Sequence, residues 1–98
     1  MWRHGDVFIA PVGLIPPDAV KKHHCVLAEG EATGHSHRIA EPGAATLFES
    51  GGKLYLRVTA DHATVIHQEH RAITLPRGEY RVWQQREYTP QAIVTVRD

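Results

Sequence analysis

Two compact histidine clusters, His35-Ser36-His37 and His67-Gln68-Glu69-His70, carry the side chains of this sequence with most chemistry to offer. In an extended segment, residues i and i+2 point to the same face. His35 and His37 then present two adjacent imidazoles, and His67 and Glu69 an imidazole with a carboxylate. These groups ligate divalent transition metals, so the expected cofactor is such an ion, with zinc, nickel and iron as candidates. A mononuclear site takes three or four convergent ligands. His35 and His37 supply two, and His67, Glu69 or His70 the rest. On an unbroken strand His67 and Glu69 share the face of Val65, whereas His70 shares that of Ile66. That geometry favours Glu69 over His70, unless the strand ends or bulges first. The expected ligand set is His35, His37, His67 and His70. If the ion activates water, Glu69 is the expected catalytic residue for moving protons, with Glu31 as a second carboxylate. His4, His23, His24 and His62 are expected to be solvent-facing or structural.

Other motifs narrow the chemistry. His35-Ser36-His37, then Glu41, then Pro76-Arg77-Gly78 resemble, over those short stretches alone, the arrangement of the cupin family. The resemblance implies a cupin-like, metal-holding β-barrel; activation of a bound water would instead make the site hydrolytic. The cupin pattern sets a further histidine after the Pro-x-Gly hairpin, and residues 79–83 contain none. The zincin spacing His-Glu-x-x-His is absent, because His67 and His70 are three apart with no amphipathic helix around them. Glu49-Ser50-Gly51-Gly52-Lys53 lacks the spacing of a phosphate-binding loop.

The elements that must position these residues read as short strands. Residues 6–12 are apolar on both faces between Gly5 and Gly13, and residues 23–28 form a second run. Residues 18–22 follow Pro16-Pro17 as a helical turn or irregular segment. Residues 29–43 read as a long polar loop holding the first histidine cluster. Residues 45–49 and 53–59 flank Ser50-Gly51-Gly52, a strong hairpin signal. In the second of these, Leu54, Leu56, Val58 and Ala60 alternate with polar residues, so one face is buried. Asp61-His62-Ala63 and Pro76-Arg77-Gly78 are expected turns, around strands over 64–70, 72–75 and 79–84. A last strand is expected over 92–96. The fold class is therefore all-β: a single antiparallel barrel or sandwich spanning 1–98, with about seven short strands.

Charge and composition bound the partners. Eleven basic residues balance eleven acidic ones, which argues against nucleic acid or an anionic membrane and leaves homo-oligomerisation open. No apolar run is long enough for a membrane span. Cys25, the only cysteine, sits in an apolar run and reads as a small buried hydrophobe. The Met1-Trp2-Arg3-His4 start is not an export signal, so a cytoplasmic setting is the expectation. A second function class is a metal-free adaptor, binding a protein partner through the 77–88 surface with Arg81, Trp83, Arg86 and Tyr88 as anchors. A third, weaker reading stacks single-stranded nucleic acid on Trp83 and Tyr88. A small-molecule substrate is the partner expected of the metal reading.

Overall fold

Gly51-Gly52 forms the two-residue loop that the sequence announces. Both glycines adopt positive φ, 58° and 78°, and Ser50 pairs with Lys53 across them. The computed structural model describes residues 1–29 and 34–85, in which eight antiparallel strands make one sheet. They are β1 (Trp2–His4), β2 (Val7–Pro11), β3 (Val20–Lys21), β4 (Val26–Glu29), β5 (Ser36–Ile39), β6 (Ala45–Ser50), β7 (Lys53–Ile66) and β8 (Ile73–Gln84). The main path runs β1-β2-β8-β7-β5-β4, with β6 joining β7 to β3. The all-β antiparallel class is as expected, in a barrel-like sheet whose path does not close on itself among the described residues. No helix among them is long and apolar enough to cross a membrane.

Three local readings are corrected. Asp61-His62-Ala63 is not a turn but lies within β7, and Pro76-Arg77-Gly78 is not a hairpin but lies within β8. The two strands pair on both sides of a bulge: Val58 opposes Gly78 and His62 opposes Pro76, so residues 59–61 face Arg77 alone. Extra residues on one strand bend it and raise its twist, which turn-forming residue types serve as well as a reversal. Ala44 O accepts from both Thr59 N–H and Ala60 N–H at the bend. The third correction is the supposed loop over 29–43, which contains β5. Arg38 and Ile39 pair with Ile66 and Val65 at the end of β7.

Inward positions build one hydrophobic cluster, led by Val7, Ile9, Leu47, Leu56, Val58, Val65 and Leu75, all essentially inaccessible to solvent. Each such side chain contributes roughly 1.5–3 kcal/mol on burial. Wrapping the sheet around this cluster brings distant ends of β8 together. Val7 pairs with Gln84 at the end of β8, and the turn before Val7 packs against His70, just ahead of its start. A straight twelve-residue strand would keep those ends about 36 Å apart, more than the longest dimension of the molecule, 33 Å. The curvature of the sheet is therefore what assembles the site.

Candidate metal centre

His37 is on β5 and only 2 % exposed. Its neighbours are His67 and His70, in the bend that follows β7, at ring-centroid distances of 4.4 and 5.5 Å. His67 and His70 are 4.7 Å apart. One nitrogen from each of the three lies within 4.8 Å of the other two. β7 ends at Ile66, so strand alternation does not govern 67–70 and both histidines turn the same way. This is the case in which His70, rather than Glu69, accompanies His67, because the strand ends before it. Glu69 is instead at the rim, its side chain 66 % exposed and 3.5 Å from His35 Nδ1.

His35 requires a correction. It precedes β5, so the two histidines of the His-x-His motif are not side by side on one strand. His35 meets His67 edge-on at 5.6 Å, outside the close triad of His37, His67 and His70. Glu41 is held elsewhere: its carboxylate accepts from Thr64 N–H at 2.8 Å and Thr64 Oγ1 at 2.6 Å. Those bonds lower its pKa and pin the 40–44 turn to β7. Glu31, Arg86, Tyr88 and the strand expected over 92–96 lie outside the described residues. Arg81 and Trp83 are half-buried on β8, on the sheet face opposite the core.

His4, expected to be solvent-facing or structural, is a fourth member of the cluster. It is 2 % exposed, and its Nδ1 lies 2.9 Å from His37 Nδ1. The available signal was Gly5-Asp6, a two-residue turn between Trp2-Arg3-His4 and Val7-Phe8-Ile9. Gly5 has φ 65° and His4 pairs with Val7, so His4 shares the inward face of Val7. Gly5 itself clears the space. A Cβ there would lie 2.8 Å from His70 Nε2 and 3.0 Å from His37 Cε1. Asp6 Oδ1 sits 3.5 Å from His37 Nε2. Gln68 ties the bend to the start of β5, donating from Nε2 to Gly34 O at 2.9 Å and accepting from Ser36 N–H at 3.1 Å.

This crowding favours neutral imidazole. Burial, with repulsion from His67 and His4, pushes the His37 pKa from 6.5 down to about 4, against the pull of Asp6. Burial and repulsion from His70 and His35 also lower His67. Neutral imidazole is the form that ligates a metal. If His37 donates its Nδ1 proton to His4, its Nε2 lone pair is available as a ligand. His67 is engaged differently, since its Nδ1 accepts from Glu69 N–H at 3.0 Å. Ligation by a neutral His67 through either nitrogen requires that bond to be given up.

The chain matches a protein family over residues 3–85, described as a domain of unknown function (DUF8820). It belongs to that family. The matched span of this DUF8820 chain runs from Arg3 to Gln85 and so includes every histidine of the cluster. Neither a curated protein nor a solved structure matches it at a significant level.

Proposed function

We propose that this DUF8820 domain binds a divalent transition metal through His37, His67 and His70. His4 orients His37 from behind, and His35 with Glu69 forms the rim. The observation that carries this reading is the convergence of three imidazole nitrogens within 4.8 Å, from segments some thirty residues apart in sequence. Tetrahedral zinc with Zn–N near 2.1 Å sets its ligand atoms about 3.4 Å apart. Loading therefore draws the 67–70 bend inward and breaks the Glu69 N–H bond to His67. An all-imidazole set suits zinc, nickel or iron.

Three protein ligands leave a position for water or a small-molecule substrate, at which the ion would supply Lewis acidity. Glu69, reaching solvent beside His35, is the group to accept and release protons there.

The test is elemental analysis of gently purified, untagged protein, with thermal melts before and after addition of zinc, nickel or iron. Wild type should carry or take up near-stoichiometric metal. At a free concentration of 100 times Kd it should gain about 2.7 kcal/mol, roughly 10–20 °C in Tm for a domain of this size. His37→Ala/His67→Ala should lose both responses. A wild-type protein that takes up no metal and melts unchanged would sink the proposal.

A further inference from the structure

The outward face of the sheet carries a second pattern, separate from the histidine site. Cross-strand partners project to the same side, so the pairing register defines this face row by row. One row runs Lys21, Phe48, Tyr55, Arg81 and Ala10 across β3, β6, β7, β8 and β2. A second runs Arg3, Phe8 and Trp83 across β1, β2 and β8. A third sets Thr46, Arg57 and Glu79 side by side. Lys53 joins them on the same side of β7 as Tyr55.

Charge is strongly segregated here. In these rows, with Lys53, stand five basic side chains (Arg3, Lys21, Lys53, Arg57, Arg81) and one acid, Glu79, which accepts from Arg57 Nε at 2.8 Å, in a chain whose charges balance overall. Among them stand four of the seven aromatic residues. The rings are already ordered as platforms. Phe8 and Trp83 stack at 5.6 Å and 18°. The Arg81 guanidinium lies 5.3 Å over Trp83, and that of Arg57 4.9 Å over Phe48. Arg81 Nε is shielded from solvent and has no hydrogen-bond partner among the described residues.

We propose that this face binds single-stranded nucleic acid, its bases stacking on Phe8, Tyr55 and Phe48 and its phosphates pairing with the surrounding Arg and Lys. Flat rings on a sheet suit unpaired bases, because a duplex hides its base faces, and stacking tolerates any sequence. Alternating cations and rings match the alternating phosphates and bases of such a strand. Net charge, which argued against this partner, averages over two unlike faces. Six strands at about 4.8 Å spacing give a track about 24 Å wide, within reach of the roughly 4–16 nucleotides that small β folds accommodate.

The test is fluorescence anisotropy of a labelled oligothymidylate of roughly 15 nucleotides, with the matching duplex and polyglutamate as competitors. Single-strand binding is expected in the micromolar range at low salt, falling steeply as salt rises. Lys21→Glu/Lys53→Glu, at two exposed positions, should weaken it about 10-fold or more with an unchanged melting temperature. Tyr55→Leu, which keeps apolar bulk but removes the ring, should weaken it about 5-fold. Chelators should leave the affinity unchanged, so this reading and the metal reading fail independently. No binding, equal binding by the charge-reversed variant, or preference for duplex or polyglutamate would overturn the proposal. So would self-association that hides the face.

Discussion

Gly5 turns at φ 65° with the rings of His70 and His37 standing where a side chain would begin. Gly5→Ala must therefore strain the backbone and displace an imidazole at once. The positive φ alone costs about 1–2 kcal/mol for a residue with a Cβ. Urea melts should show at least that loss, and zinc titration should show weaker binding because His70 has moved. Wild-type affinity in this variant would mean that His70 is not a ligand. His37 makes a second prediction, about pH. Its folded pKa of about 4 lies below the ordinary 6.5, so on acidification the unfolded chain takes up the proton first. The contribution to stability is complete above about pH 6.5, declines as pH falls towards 4, and levels off below. Its size is on the order of a few kcal/mol. Denaturant melts in the presence of a chelator should follow that curve, and His37→Gln should flatten it.

At the scale of elements, two devices set the geometry. The bulge at 59–61 bends β7 against β8, so that one long strand serves β6 with its first half and β5 with its end. Gln68 then acts as a short strand-like pairing between the 67–70 bend and the start of β5, through its bonds to Gly34 and Ser36. Gln68→Ala removes both bonds at an exposed position, which should cost about 1 kcal/mol. It should weaken metal binding by a larger factor than it lowers stability, since the bend carries two of the proposed ligands and β5 the third. Parallel urea melts and zinc titrations measure the two effects. If affinity does not change, the bend holds its position without Gln68.

Across the whole molecule, the histidine cluster closes one end of the wrapped sheet, joining β1, β5 and the β7–β8 connection. A bound ion would cross-link β5 to the β7–β8 connection, and β1 would follow through the contact of His4 with His37. Amide exchange in β1 and β5 should therefore slow together on addition of metal, while β6 and the first half of β7, already buried against the core, change little. Slowing confined to 67–70 would point to a local site that does not tie the layers. The opposite face of the same sheet stays wet, with its cations and aromatics outward. One sheet thus presents two chemically unlike surfaces, a division that a balanced total charge conceals.

Local rules made much of this legible in the sequence. The alternation of Leu54, Leu56 and Val58, the Gly51-Gly52 loop and the short apolar runs determined an antiparallel all-β fold, because strand period and turn chemistry are properties of neighbouring residues. The two histidine motifs likewise contain the three imidazoles that converge, His37, His67 and His70. Curvature was not legible. Pro76-Arg77-Gly78 and Asp61-His62-Ala63 carry the same residue types whether they reverse a chain or bend two paired strands, and only the partner strand distinguishes the outcomes. His4 entered the cluster for the same reason: its distance from His37 depends on how far the sheet wraps, which no local spacing encodes. The sequence by itself determined the all-β class and supplied the imidazoles and carboxylates near the site. Tertiary structure decided which histidines meet, because convergence across a curved sheet is set by the packing of the whole core.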